Sequence, residues 1–196
     1  MFDLPCILFA GGKSSRMGQD KSLLPFGTYP TLAQFQYERL SKLFTSTYIS
    51  AKSREKFDFD PNVIEDSTAS DYAPTAGFVA AFETISDERI FVLSVDTPFV
   101  TKEVMQKLIN ADSPYYDAVI AQTPSGVHPM AGIYHRSLFE ELKRMLQEGD
   151  HRLGKLLSSA KTRYVRFPHE EPFSNLNHPN EYEEAVSRYN NENESK

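Results

Sequence analysis

The sequence has little cysteine: Cys6 is the single one among 196 residues. One thiol excludes a disulfide within the chain, and this scarcity is typical of proteins from a reducing cytoplasm. Cys6 stands in the short apolar run 6–9, which predicts a buried strand. We therefore expect its side chain to fill space in the core rather than to react, and we expect the protein to be cytoplasmic.

Long apolar runs are also absent, and none approaches the ~20 residues that a membrane span needs. Residues 1–5 lack the basic region of a signal peptide, and Gly11 follows too soon afterwards. A net charge of −6 argues against a nucleic-acid partner. The length and the 40% hydrophobic content suit one domain, predicted over residues 1–189 and followed by a disordered polar tail over 190–196.

Several motifs of nucleotide-binding and catalytic proteins are missing. A Walker loop would need a glycine where Ile7 stands. The fingerprint G-x-G-x-x-G is absent because Gly11 and Gly12 are adjacent and the next glycine is Gly18. No G-x-S-x-G sequence and no cysteine in a catalytic context occur, and His128 has no second histidine at metal-ligand spacing. These absences exclude a P-loop ATPase, a standard dinucleotide-binding protein and a triad hydrolase.

What the sequence does contain is a glycine-rich, cationic segment directly after the first predicted strand. Gly11 and Gly12 let the backbone turn and approach a ligand closely. Lys13, Arg16 and Lys21 supply positive charge within the same stretch. Backbone N–H groups and cations in a loop after a strand are typical of a phosphate-binding site, although solvation is the usual fate of loop cations.

Apolar strands and amphipathic helices alternate through most of the chain. This order predicts an α/β sandwich with a mostly parallel sheet. Helices are predicted after the capping residues Thr31 and Thr101, in a capping box at Ser137, and over a last stretch from Pro179 to about Tyr189. Strands are predicted near 6–9, 48–51, 62–64, 90–95, 118–121, 130–134 and 162–167.

In a parallel sheet, ligands bind beyond the carboxyl ends of the strands. Ser50 ends the second predicted strand, Asp66 follows the third and Asp96 follows the most apolar one. Asp96 suits Mg²⁺, which takes carboxylate and phosphate oxygens together, or it caps a turn before a helix. Asp66 either accepts hydrogen bonds from a base or ribose or caps its loop, and His128 is interpreted as a positioning or structural residue. The segment 52–56 is predicted to be a solvated loop or short helix.

A phosphate-binding loop and one metal-binding carboxylate, without a nucleophile, favour direct in-line attack by a second substrate. The protein would then contribute positioning and charge neutralisation.

The segment 8–21, LFAGGKSSRMGQDK, resembles the signature L-A-G-G-x-S-x-R-M-G-x-D-K of the MobA-type molybdenum cofactor guanylyltransferases. The likeness extends along nearly the whole chain. Segment 63–66 resembles the stretch before that family's central loop, and 95–99 resembles its C-D-T-P-aromatic metal site. The pair 128–129 and the segment 173–179 match its H-P and N-x-N-T-P motifs.

The resemblance implies a three-layer α/β/α Rossmann-like nucleotidyltransferase fold with a mostly parallel mixed sheet. It implies attack by the molybdopterin phosphate on the α-phosphate of GTP, with release of pyrophosphate. It also implies transient contact with molybdoenzymes or other proteins of cofactor biosynthesis, and neither a nucleic-acid nor a membrane partner.

The resemblance further implies roles for individual residues. Arg16, Lys21 and Asp96 would be catalytic, and Asp96 would hold both Mg²⁺ and GTP. Asn175 and Asn177 would lie toward the pterin. The remaining nucleotide contacts would come from Leu8, Phe9, Ala10, Gly11, Gly12, Lys21, Ser50 and Asp66.

The chain departs from the family pattern at a few positions. Phe9 and Ser50 replace a usual leucine and a frequent asparagine, Thr75 replaces the leucine of Pro-Leu-Ala-Gly, and His178 replaces a threonine. Ala10-Gly11-Gly12 favours guanine, since cytidylyltransferases and sugar-phosphate nucleotidyltransferases usually have Ala-Ala-Gly. A molybdopterin cytidylyltransferase and a non-catalytic nucleotide- or molybdopterin-binding adaptor remain the alternatives.

Overall fold

The computed structural model describes residues 1–11, 20–66 and 73–194. The strands are β1 (Phe2–Phe9), β2 (Phe44–Ala51), β3 (Val63–Glu65), β4 (Arg89–Ser94), β5 (Ala118–Thr123), β6 (Gly126–His135) and β7 (Thr162–Arg166). The helices are α1 (Leu32–Ser41), α2 (Pro74–Thr84), α3 (Lys102–Asn110), α4 (Phe139–Gln147), α5 (Leu153–Ser159) and α6 (Pro179–Glu194). Short 3₁₀ turns cover Lys21–Leu23, Arg54–Lys56, Arg136–Leu138 and Glu171–Phe173.

The strands form one mixed sheet in the order β3-β2-β1-β4-β6-β5-β7. Strand β1 pairs in parallel with β2 and with β4, and β2 pairs in parallel with β3. Strand β6 runs antiparallel to both of its neighbours, while β5 and β7 are parallel. The predicted mostly parallel sheet is therefore confirmed.

The core has two halves, one on each face of the sheet, because the central strands are buried on both faces. In β4, Phe91 and Leu93 point into one half, while Ile90 and Val92 point into the other. Helices α1, α3 and α6 cover the first half, and α2, α4 and α5 cover the second. This arrangement is the three-layer α/β/α sandwich, and it explains why the central strands are continuously apolar in sequence.

Two strands begin earlier than their sequence patterns predict. Strand β1 begins at Phe2, and β2 begins at Phe44, although the apolar pattern after the cap at Thr31 predicts a helix that extends to about Phe44. The two phenylalanines are register partners with ring centroids 5.0 Å apart, and Phe44 also packs 5.1 Å from Phe91. These contacts between distant segments favour strand over helix at Phe44.

The predicted helix caps had different outcomes. Thr31 and Thr101 accept hydrogen bonds from the N–H groups of Gln34 and Val104, as predicted. The capping box at Ser137 is wrong, because its hydroxyl donates to the carboxylate of Asp117 at 2.7 Å. Helix α4 accordingly begins without a side-chain cap.

Helix α6 continues to Glu194, beyond the end predicted at Tyr189, so residues 190–194 are helical. The ring of Tyr189 packs 5.1 Å from both Phe26 and Phe35. This packing holds helix α6 against the core at Tyr189, and the polar residues 190–194 extend the helix beyond that contact. Residues 195 and 196 lie outside the described part of the chain.

Among the described residues, no helix combines the length and the apolar character that crossing a membrane requires.

The environment of Cys6 predicts an inert thiol. The side chain is fully buried in the core, and burial raises the pKa of the thiol. Because the thiolate is the reactive form, we expect no labelling by a thiol reagent in the folded protein at pH 8 and one labelled thiol per chain in denaturant. Rapid labelling of native protein would contradict the core role of Cys6.

Candidate active site at the carboxyl ends of the strands

The parallel register brings the carboxyl ends of the first four strands to one edge of the sheet. Phe9 at the end of β1 is the register partner of both Ser50 and Ser94. The chain places β2 on one side of β1 and β4 on the other. This reversal of strand order is a topological switch point, where α/β folds form their ligand crevice.

Asp96, Lys21 and Asn177 meet at this crevice from three distant parts of the sequence. The Lys21 ammonium lies 3.0 Å from Oδ2 of Asp96 and donates to Oδ1 of Asn177 at 3.3 Å. The carbonyl of Asp96 accepts from the N–H of Leu176 at 3.0 Å, which docks the segment carrying both asparagines. The structure thus brings together two of the three predicted catalytic side chains.

One carboxylate oxygen of Asp96 has no hydrogen-bond partner among the described residues. Its Oδ1 is buried and accepts no hydrogen bond from the described residues. A buried carboxylate oxygen without a partner is costly, so it marks a position where a cation or a donor is expected. No group of three or more His, Cys, Asp or Glu side chains suited to a metal occurs within the described ranges. A single carboxylate suits a cation such as Mg²⁺, which completes its shell with phosphate oxygens and water.

A cavity of about 120 Å³ lies beyond the ends of β1, β2 and β3. Its wall includes the carboxylate of Asp66, which is 7% exposed. The Lys52 ammonium lies 3.4 Å from Oδ1 of Asp66 and donates to the Asp66 carbonyl at 3.1 Å. Even so, Oδ1 of Asp66 has no hydrogen-bond partner in the described chain. The residues that line this cavity are Phe9, Gly11, Ser50, Asp66, Ala73, Pro74, Ser94 and Met130.

A second cavity, of about 230 Å³, opens beside the first and shares Ser94 and Met130 with it. Asp96 and Asn175 contribute to its wall, together with His128. The residues that line it are Ser94, Asp96, Thr97, Val127, His128, Pro129, Met130, Ala131, Phe173 and Asn175.

His128 is held rigidly in the wall of the second cavity. Its ring stacks on Phe173 with centroids 4.7 Å apart, and its Nε2 lies 2.7 Å from the hydroxyl of Thr123. Burial lowers the pKa of His128, while Glu170, 3.9 Å away, acts in the opposite direction. The histidine is therefore neutral near pH 7, and it supports the segment from Phe173 to Asn177.

Not every residue predicted for the site lines one of the two cavities. Leu8 is fully buried in the core, and its backbone pairs with strands on both sides. Ala10 is also buried, and its carbonyl accepts from Lys56 at 2.7 Å. Neither residue lines the two cavities, whereas Phe9 and Gly11 do. Gly12 and Arg16 lie outside the described residues, as does Lys13.

Sequence reasoning missed two lysines. Segment 52–56 was expected to be a solvated loop or short helix, yet Lys52 contacts Asp66. The Lys56 ammonium lies 2.8 Å from the Asp20 carboxylate and donates a hydrogen bond to the Ala10 carbonyl. The sequence contained one indication for Lys52. This residue directly follows a strand, and ligands bind beyond the carboxyl ends of parallel strands. For His128 the available signal was its place in the matched H-P pair.

Comparisons with known proteins agree with this geometry. The model of the MobA-like NTP transferase domain matches residues 6–164. A Campylobacter jejuni subsp. doylei protein named molybdenum cofactor guanylyltransferase is 40% identical over 94% of this chain and 96% of its own length.

Two solved structures share the fold. The Archaeoglobus fulgidus molybdopterin-guanine dinucleotide biosynthesis protein A superposes with a TM-score of 0.81 at 20% identity, over 96% of this chain and all of that one. A Mycobacterium tuberculosis protein solved in complex with manganese has a TM-score of 0.67 at 20% identity, over 94% and 98% of the two chains.

Helix α2 approaches the first cavity closely at Gly77. A Cβ added to Gly77 would lie 2.5 Å from the Ser50 hydroxyl oxygen and 2.6 Å from the Phe9 ring. Both distances are shorter than contact allows, so only glycine lets this helix rest on the ends of β1 and β2. Gly77 therefore fixes the distance between α2 and two of the cavity-lining side chains.

We expect Gly77→Ala to lower the free energy of unfolding by about 1–3 kcal/mol, because the added methyl group overpacks the contact with Phe9 and Ser50. The matched control is Gly154→Ala in α5, where an added Cβ meets nothing within 4 Å. That change should instead stabilise by about 0.5–1 kcal/mol through the helix preference of alanine. Urea denaturation of both variants measures the difference, and equal effects would contradict the close approach at Gly77.

Proposed function

Because this chain belongs to the MobA-like NTP transferase family, we propose that it is a guanylyltransferase that transfers GMP from GTP to the phosphate of molybdopterin. The products are molybdopterin guanine dinucleotide and pyrophosphate. The relative at 40% identity, which is named for this activity, supports the proposal.

The observation that carries the proposal is the position of Asp96 beside two adjoining cavities. The first cavity contains Asp66 and Ser50 and suits the nucleoside part of GTP, because a buried carboxylate accepts hydrogen bonds from N–H or O–H groups. The second contains Asn175 and His128 and suits the acceptor. A group-transfer enzyme needs two such cavities around one set of charged residues.

Phosphate charge would be neutralised by the cations at this edge of the sheet. Lys21 lies against Asp96 and Asn177, and Lys56 lies at the end of β1. We assign Lys21 to the polyphosphate, and Arg16 is proposed for the same role from its place in the motif. Ammonium and guanidinium groups bind phosphate oxygens directly.

Asp96 would hold the divalent cation, for which we propose Mg²⁺. The buried Oδ1 without a hydrogen bond from the described residues suits this role, while Oδ2 contacts Lys21. The cation, when bound, neutralises phosphate charge that builds up in the transition state. Magnesium agrees with the oxygen donor set.

The reaction needs no covalent intermediate on the protein. An oxygen of the molybdopterin phosphate forms a bond to the α-phosphorus of GTP, and the bond from that phosphorus to the bridging oxygen of the pyrophosphate group breaks. Pyrophosphate leaves with the electron pair. The chain positions the two substrates in line and neutralises charge, which is where most of the rate enhancement of phosphoryl transfer arises.

A nucleotide panel tests the substrate assignment. With molybdopterin and Mg²⁺ present, we expect pyrophosphate release from GTP to exceed release from CTP or ATP by at least about tenfold, the effect of ~1.4 kcal/mol of discrimination in the site. Release should require molybdopterin. Equal or faster turnover of CTP would identify a cytidylyltransferase instead, and no release from any nucleotide would identify a binding adaptor.

Asp96→Asn tests the role of the carboxylate. Asparagine keeps the shape but loses the negative charge, so we expect kcat to fall about 10²-fold or more while the fold is retained. The matched control is Asp87→Asn. Asp87 is exposed and precedes β4, whereas Asp96 follows it, so this variant should keep near wild-type turnover. Activity assays with a Mg²⁺ titration, and circular dichroism for the fold, measure these effects. Near wild-type turnover of Asp96→Asn would remove Asp96 from the metal site.

A further inference from the structure

A groove runs along strand β7, and its lining shares no residue with the two cavities of the candidate site. It consists of two concave regions of about 580 and 450 Å³ that share Arg166. The first lies between α3 and β7, and the second lies where β5 and β7 end. The lining residues are Lys107, Asn110, Ala111, Gln122, Thr123, Pro124, Arg163, Tyr164, Val165, Arg166, Phe167 and Pro168.

The groove is positively charged in a chain whose net charge is −6. Its charged lining residues are Lys107, Arg163 and Arg166, and its lining includes no aspartate or glutamate. Both arginines are exposed, and within the described ranges neither guanidinium has an ion pair or hydrogen bond. The Lys107 ammonium lies 4.5 Å from the centre of the Phe167 ring and donates to the Arg166 carbonyl at 2.8 Å. The local charge is therefore available to an anionic partner.

Strand β7 also has a backbone edge that no strand of the described chain covers. It is last in the strand order and pairs only with β5 among these strands. On the other edge the Arg166 carbonyl already accepts from Lys107, while the remaining N–H and C=O groups are able to pair with an added strand. Tyr164, which is half-buried, supplies apolar surface beside this edge, over the buried Val165 and Phe167. An extended segment can thus find backbone, apolar and cationic contacts at once.

We propose that this groove binds an acidic, extended segment of a partner protein, which adds to the sheet as a strand beside β7. Charge complementarity between the three cations and the acidic side chains selects the partner. A nucleic acid fits less well, because typical protein–DNA contacts neutralise about 6–10 phosphates and the rest of this chain is acidic.

The groove ends next to the second cavity. Thr123 lines the groove, and its hydroxyl lies 2.7 Å from Nε2 of His128 in the cavity wall. Only the end of the groove near Thr123 therefore approaches that cavity, because the partner strand would lie on the side of β7 opposite to β5. The proposal itself does not depend on the reaction assigned above, since it concerns binding alone.

A labelled peptide tests the proposal on the full chain. The probe is fluorescein-Glu-Val-Glu-Thr-Glu-Val-Glu-Thr, and fluorescence anisotropy measures its binding. We expect binding that weakens as salt is raised, and a loss of affinity of about tenfold or more in Arg163→Glu/Arg166→Glu. The matched control Lys42→Glu/Lys143→Glu makes the same change in net charge on surfaces away from β7 and should bind like wild type.

A second peptide separates strand addition from charge attraction. Replacing valine and threonine by proline keeps the charge but removes every second backbone donor and disfavours pairing in a sheet, so this peptide should bind at least about tenfold more weakly. Several outcomes would overturn the proposal. They are equal binding of the two peptides, equal binding by the two double variants, tighter binding of an oligothymidylate, and a dimer of the free protein that Arg163→Glu/Arg166→Glu dissociates.

Discussion

The position of β1 between two parallel neighbours is the constraint on which the rest of the molecule depends. Both faces of β1 are covered from Leu4 onward, so its residues there are apolar, and a polar ligand can meet this part of the strand only at its carboxyl end. Pairing with β2 and β4 in parallel then makes three strands end together. Ser50, Asp66 and Asp96 end or follow parallel strands. The register of those strands therefore places all three residues at the same edge of the sheet.

The Lys21–Asp96 contact joins this edge to the beginning and the end of the chain. The two residues are 75 positions apart, and Asn177 lies a further 81 positions along, yet one ammonium contacts both. The Lys21 and Asp96 side chains are only 15% and 18% exposed. Removing two charges from water costs free energy that their attraction must offset, so such a pair contributes little net stability. We infer that the pair instead serves binding, with the Lys21 ammonium placed for phosphate and the Asp96 carboxylate placed for a metal ion.

The sequence allowed much of the fold and part of the site to be predicted, for physical reasons. Short apolar runs are a local feature of the sequence, and they located the strands and therefore Asp66 and Asp96, which follow two of them. The contacts of Lys52 and Lys56 could not be predicted, because their partners lie in other segments of the chain. Lys56, for example, donates to the carbonyl of Ala10. The packing of Tyr189 in helix α6 could not be predicted either, because its partner Phe26 lies far away in sequence.

The two buried carboxylates of the site have similar surroundings but line different cavities. Asp66 lies near Lys52 and Asp96 near Lys21, and each keeps an oxygen without a hydrogen bond from the described residues. A nearby lysine offsets part of the cost of burying each carboxylate, and Oδ1 of each, which accepts no hydrogen bond from the described residues, remains able to bind a ligand. Asp66 lines only the first cavity and Asp96 only the second. Because the cavities share a wall at Ser94 and Met130, one carboxylate is suited to recognise a bound group and the other to act where the two substrates meet.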